Sequence, residues 1–277
     1  MTRRSHRFLP ALVAFLLAAT LLMAQEPTQE QVPPPNLAVT VPQAAPIAPP
    51  SPTASAADLE TRADELRLQK AWLDAVDYYK AALKKKPANV AVLYNKIGIS
   101  QLQLQRISDA KKNFEHAIKA DRDYAEAYNN LGVVYYWQKK YSKAEKQYKR
   151  ALILREDSAS FHSNLGTSYF ARKVFDAAMV EYVRAMELDP LIFERRSQGG
   201  VAARMSSPDD RAHYSFMLAR MYAKVGDLDH ALNYLKKAME DGYKEIADVY
   251  KQDEFAQLRK DPRFTELMTS KPVAIPQ

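Results

Sequence analysis

The chain has 277 residues, ordinary hydrophobic and charged fractions, a formal net charge of +7 and no cysteine. The lack of cysteine excludes disulfides, thiolate zinc sites and cysteine nucleophiles together. Residues 1–24 hold three arginines and no acid, so the remainder carries only +4, too mild a bias to point to nucleic acid.

In chain order, Arg3, Arg4 and Arg7 precede a mostly apolar run, residues 8–24, that stops at Gln25 and Glu26. Basic start, apolar stretch and small residue are the order of a secretory signal peptide, which makes 1–24 a targeting segment. The run has 17 residues, with Pro10 near its start, and is shorter than a spanning helix needs. Leu22 stands at the minus-three position of the expected cleavage after Ala24, where a small side chain is usual. An uncleaved membrane anchor therefore stays open. Residues 25–55 hold nine of the sixteen prolines. Such a stretch lacks amide donors and helical dihedrals, and reads as an extended, solvated linker, or else as a ligand for a proline-binding module.

From residue 56 onward the pattern is helical and repeats. Gly98, Gly132 and Gly166 are 34 residues apart. Apolar Ile97, Leu131 and Leu165 precede them, with Tyr94, Tyr128 and His162 three residues earlier still. Downstream come Ala110, Ala144 and Ala178, then Phe114, Tyr148 and Tyr182, then Ala117, Ala151 and Ala185. These columns resemble the tetratricopeptide repeat, whose pattern of Leu-Gly, aromatic and alanine positions they follow. Units at 91–124, 125–158 and 159–192 match well. A weaker copy at 56–90 has Arg62-Ala63 for the Leu-Gly pair, and a later one at 212–245 carries Leu218, Ala219 and Leu235.

The resemblance implies an all-α fold, an α-solenoid of stacked helix-turn-helix units. The residues support it independently, because apolar side chains recur at three- and four-residue spacing on both sides of a short polar break. One unit cannot bury its own apolar face, so copies must stack. The glycine column is expected to remove bulk where two helices cross. Second helices are expected to start at N-caps Ser108, Ser142, Asp176 and Asp229, with Ser142 and Glu145 forming a capping box. Residues 193–211, with Gly199-Gly200 and Ser206-Ser207-Pro208, read as an irregular insertion. Residues 246–270 read as short capping helices, and 271–277 as a tail.

Catalysis needs groups converging in a pocket. None of the five histidines has ligand spacing with another, His162 falls in the aromatic packing column, and no phosphate loop or nucleophile elbow occurs. No cofactor, no metal and no enzyme activity are expected. In the family the first helices line a concave groove that binds peptides. The positions implied to face it here are Asn95, Ile99, Leu102, Asn129, Val133, Tyr136, Ser163, Thr167 and Phe170, with Trp137 as an individual anchor. The chaperone-binding clamp of the family is absent, since its positions hold Asn95, Ile99, Asn130, Ser160 and Asn164.

The expected function is a non-catalytic scaffold or assembly factor, exported to the periplasm or cell envelope. Its partner would be a peptide segment or helix of an envelope protein, with membrane contact only through an uncleaved N-terminal segment. A narrower version is a pilus or secretion-system assembly subunit. The alternative is polyanion or envelope-polymer binding through Lys84-Lys85-Lys86, Lys111-Lys112, Lys139-Lys140 and Lys236-Lys237.

Overall fold

The computed structural model describes residues 47–193 and 207–270. The signal segment, most of the linker, most of the insertion at 193–211 and the tail lie outside the described residues.

Among the described residues eleven α-helices follow one another and there is no strand. They pair consecutively: α1 (Ala56–Leu68) with α2 (Trp72–Lys84), α3 (Val90–Gln103) with α4 (Ile107–Ala120), and α5 (Ala125–Trp137) with α6 (Tyr141–Leu154). The series continues with α7 (Ala159–Ala171) on α8 (Phe175–Leu188) and α9 (Pro208–Val225) on α10 (Leu228–Glu240). Through α7, each second helix also packs on the next first helix, and α3, α5 and α7 touch in turn. This is the solenoid of stacked pairs.

The glycine column explains the pairing. A Cβ built on Gly98, Gly132 or Gly166 would lie 2.5, 2.5 or 2.6 Å from the ring of Phe114, Tyr148 or Tyr182. Each ring is fully buried. The flat face of the aromatic on the second helix thus rests where the first helix has no side chain. In the fifth pair the two columns hold Ala219 and Leu235, both fully buried, so a larger first-helix residue accompanies a smaller partner.

The turn inside each pair is a Schellman motif. Lys70, Gln105, Lys139 and Lys173 have φ between 57° and 62°, and Gly226 occupies the same place at 85°. In the third pair the Lys139 N–H donates to Tyr136 O (2.8 Å) and the Lys140 N–H to Tyr135 O (2.9 Å). The motif overturns the expected N-caps. Ser108, Ser142, Asp176 and Asp229 stand one residue inside their helices, and the caps are Arg106, Lys140, Val174 and Asp227. Of these four only Asp227 caps with its side chain, accepting from the His230 N–H. Lys140 both closes the turn after α5 and starts α6, its carbonyl accepting from the Ala144 N–H, so no residue is left over for a separate cap. Glu145 makes no capping box with Ser142. It takes ion pairs from Lys149 (2.7 Å) and Arg172 instead. A capping box forms at Ser55 and Asp58, before α1.

First helices are linked by polar contacts that change along the stack. Lys96 of α3 holds Glu60 and Asp64 of α1, each at 2.7 Å. At the equivalent places the Asn130 amide donates to Asn95 Oδ1 (2.9 Å) and the Asn164 amide to Asn129 Oδ1 (2.9 Å). The fourth joint breaks the series. The fifth copy's column, Ala219, comes 53 residues after Gly166 rather than 34. The start of α9 lies against the end of α7 and the start of α8, with His213 stacked on Phe175 at 4.1 Å and Tyr214 edge-on to Phe170 at 5.6 Å.

Both ends of the described stack are covered. Ile47 packs on the cluster of Leu59, Tyr78 and Tyr79, while Tyr78 Oη donates to Ala48 O (2.9 Å). The last residues of the proline-rich stretch thus lie on α2 and are not free spacer. At the other end, three 3-10 turns (Ile246–Tyr250, Asp253–Phe255, Leu258–Lys260) and α11 (Pro262–Ser270) bury Val249, Phe255, Leu258 and Phe264 with the core of α9 and α10.

Gly132→Ala forces a methyl into the Tyr148 ring, and should destabilise by about 1–3 kcal/mol despite the better helix propensity of alanine. Adding Tyr148→Leu, the combination used by the fifth pair, should restore part of that loss in thermal unfolding. Equal melting temperatures for wild type and Gly132→Ala would refute the close-approach account.

The α1–α3 link should also be pH-sensitive. Burial by itself raises the Asp64 carboxyl, but hydrogen bonds from Lys96 and Tyr79 outweigh it and hold the group below its ordinary 3.8. A depressed carboxyl stabilises above its unfolded value and loses that contribution as pH falls through the folded one, here below about pH 4. Hydrogen exchange in α1, corrected for intrinsic rates, should accelerate there more than in α5, whose Asn95–Asn130 link has no titrating group. Parallel acceleration of both helices would count against it.

Candidate partner-binding site

The residues expected to line a groove separate into two groups. Asn95 is 4 % exposed and Asn129 8 % exposed, and both are engaged within the stack. Asn164 donates to Asn129, Asn129 to Asn130 (3.2 Å), Asn130 to Asn95, and Asn95 to the Tyr124 hydroxyl (3.2 Å). This amide chain crosses α7, α5 and α3, each member donating one bond onward. Leu102 and Val133 are buried in one apolar cluster with Leu131 and Val134, and half-buried Ile99 packs on it. Thr167 is 1 % exposed, donating to Ser163 O (2.8 Å) and accepting from Tyr182 Oη (3.1 Å). Ser163 is half-buried. His162 is buried, its ring nitrogens 2.6 Å from Glu181 Oε2 and 2.9 Å from Glu156 O.

Tyr136, Trp137 and Phe170 form the second group. They come together in a crevice of about 450 Å³ where the fifth pair meets the array. Half-buried Tyr136 and Trp137 end α5, Phe170, 5 % exposed, stands one residue before the end of α7, and both helices end in the Schellman turn that brings Tyr141 and Phe175 in behind them. Tyr136 and Tyr141 lie 5.2 Å apart, and Phe170 and Phe175 5.6 Å apart. From the other side the start of α9 contributes His213, and the turn after α10 contributes Tyr243, whose ring is edge-on to His213 at 5.4 Å.

Charges sit around these rings. Lys139 and Lys173, at the turn ends of α5 and α7, are exposed and line one side. Asp209, Asp210, Lys244 and Glu245 line the other, with Asp209 and Lys244 3.7 Å apart. Burial pushes the His213 imidazole down from its ordinary value and outweighs the upward pull of Glu245 and Asp210, with a smaller downward push from Lys173. The ring therefore faces the crevice uncharged at neutral pH. Burial drives the Tyr136 hydroxyl well above its ordinary value, and that of Tyr243 to about 12.

Aromatic walls with a charged rim hold an apolar or aromatic group of a partner by burial and ring contacts. Among the described residues no three His, Asp or Glu side chains converge where a metal could bind. Phe175 belongs to a column at the starts of second helices, Ile107, Tyr141 and Phe175, and that signal was present at the 34-residue period. His213 and Tyr243 carry no such signal, because the displaced α9 sets their neighbours. No described helix is long and apolar enough to cross a membrane.

Models of the tetratricopeptide repeat match residues 91–124, 125–158 and 217–246. No curated protein matches the chain. Among solved structures, the chain is similar to TTC0263, a TPR protein of Thermus thermophilus, at 19% identity and TM-score 0.47, covering 78% of this chain and 100% of that one. A MamA structure is 21% identical with TM-score 0.47, covering 72% and 95%. YrrB, described as a TPR protein with an unusual peptide-binding site, is 19% identical with TM-score 0.45, covering 71% and 91%.

Asn129→Ala should cut the amide chain in its middle and leave Asn164 and Asn130 each short of a partner. The expected cost is about 1–3 kcal/mol in denaturant unfolding, more than for Asn164→Ala at the end of the chain. The reverse order would mean that the amides do not act as a chain.

Proposed function

The chain is a tetratricopeptide-repeat protein, and we propose that it is a non-catalytic interaction scaffold or assembly factor of the bacterial cell envelope. Its partner is a peptide segment or helix of an envelope protein, taken up against α5, α7 and α9. The observation that carries this reading is the crevice, an aromatic-walled concavity that gathers Tyr136, Trp137 and Phe170. The amide chain supports the same placement. Asn95 and Asn129 are occupied by one another's neighbours, which leaves half-buried Tyr136 and Trp137 as the part of the face that a partner can reach.

Export rests on residues 1–24, whose basic start and 17-residue apolar run have the order of a signal peptide, or of an anchor if uncleaved. Binding of an envelope polyanion by the lysines is the weaker reading. Of the lysines that would carry it, Lys111 pairs with Glu115 (3.0 Å) and Lys236 with Glu240 (3.8 Å), so two of the clusters are partly neutralised where they stand. A pilus or secretion-system role is one version of the scaffold reading, and no residue selects it.

A photo-crosslinking residue at Tyr136, introduced in the native host, should capture one distinct protein that the same residue at exposed Lys146 does not. Equal capture at both positions, or none at 136, would reject the crevice as the docking site. Capture at 146 that disappears in high salt would favour the polyanion reading.

A further inference from the structure

The crevice has two unlike sides, and this asymmetry carries information about the partner's chemistry. The inference rests on the reading of the crevice as a docking site. On the array side, Lys139 and Lys173 occupy equivalent places in successive turns, seven residues after Gly132 and Gly166. Both have φ near 60°, 57° and 61°, so they leave the chain from the same backbone conformation in successive turns. No carboxylate is paired with either lysine among the described residues, although α6 and α7 nearby pair Lys149 and Arg172 with Glu145. On the opposite side one of the three acids, Asp209, has an ion-pair partner, while Asp210 and Glu245 form none among the described residues. Asp209 meets Lys244, and Asp209 and Asp210 lie in the first turn of α9, where the helix dipole favours negative charge. The unmatched cations are those of the array side.

Between the two sides the surface is aromatic. Phe175 and His213 stack at 4.1 Å, and Phe170 and Tyr243 present their rings edge-on to His213 at 5.6 and 5.4 Å. Such walls suit a ring inserted among them, since aromatic pairs favour offset and edge-to-face contacts. A volume of about 450 Å³ takes a large side chain together with a flanking residue, and is too small for a helix to lie inside.

We propose that the crevice accepts an aromatic side chain of the partner segment beside an acidic group, the ring among Phe170, Phe175, His213 and Tyr243 and the anion on Lys139 and Lys173. Specificity then has two separable parts, ring burial and charge pairing. An aromatic residue without the acid would bind weakly, and an acidic segment without the ring would not be held.

Two dyes with the same rings and different charge separate these parts. They are 8-anilinonaphthalene-1-sulfonate, an aromatic anion, and N-phenyl-1-naphthylamine, its uncharged counterpart. Both are titrated into the full chain, with energy transfer from Trp137, measured in a Trp72→Phe background, as one reading of position. Lys139→Gln with Lys173→Gln is the charge variant. Gln105 already occupies the same left-handed turn position in the second pair, so the backbone accepts glutamine there. The expected result is a loss of about five- to tenfold in affinity for the sulfonate dye, with the neutral dye unchanged. Phe175→Leu should weaken both dyes. Lys143→Gln, elsewhere on α6, should alter neither.

Loss of the sulfonate preference in the Lys143→Gln control as well, or no change in the double variant, would overturn the anion assignment. Neutral-dye binding that ignores Phe175→Leu would overturn the ring assignment. Folding of each variant is checked by far-ultraviolet circular dichroism and thermal unfolding. These outcomes are independent of cellular crosslinking at Tyr136. A partner captured there whose binding ignores Lys139 and Lys173 would leave the scaffold reading intact and reject the proposed ligand chemistry.

Discussion

The close approach of a glycine to an aromatic ring is the contact on which the rest of the stack depends. Where Tyr148 lies on Gly132, the two helices of a pair come near enough to bury the ring and the alanines Ala144 and Ala151 completely. Glycine in a helix costs about 1 kcal/mol relative to alanine. Burying a large aromatic side chain recovers more than that, about 1.5–3 kcal/mol. Because the same contact recurs every 34 residues, the pairs have the same shape, and pairs of the same shape can stack with the same joint.

The joints themselves are less uniform than the pairs. Along the stack, the seam between first helices passes from an ion-pair cluster at Lys96 to amide links at Asn130 and Asn164, then to rings at Phe170, His213 and Tyr214. The ion pairs and amides impose a register, because a slipped helix would leave buried polar groups without partners. The aromatic joint imposes less. Rings tolerate several mutual orientations, and it is there that α9 enters out of step and a crevice of useful size opens. The crevice and the irregularity of the repeat therefore have one origin.

The turns illustrate how a repeated local motif outweighs single-residue preferences. Lysine and glutamine at positive φ are unfavourable, yet four of the five turns use them. Each turn closes two backbone hydrogen bonds at the end of the first helix and begins the second helix at once. The serines and aspartates one residue further on are left inside their helices. Their side chains resemble caps in sequence, but the residue that closes the turn already occupies the capping place.

The 34-residue spacing, together with the columns Gly132–Tyr148 and Ala144–Ala151, was sufficient to read the helix pairs, their stacking and the reason for the glycines. Those are consequences of contacts within one unit, where sequence distance and spatial distance are tied together by helix geometry. Tyr136 and Phe170 stand at equivalent places near the ends of first helices for the same reason, with Trp137 one residue on, although Phe170, like Leu102, is buried there. That Asn95 and Asn129 are spent on an amide chain, that Leu102 and Thr167 are buried, and that His213 and Tyr243 complete the crevice was decided only by tertiary structure. These facts depend on how α9 docks after a break in the period. Across that break sequence spacing no longer measures distance, so packing alone determines which side chains meet.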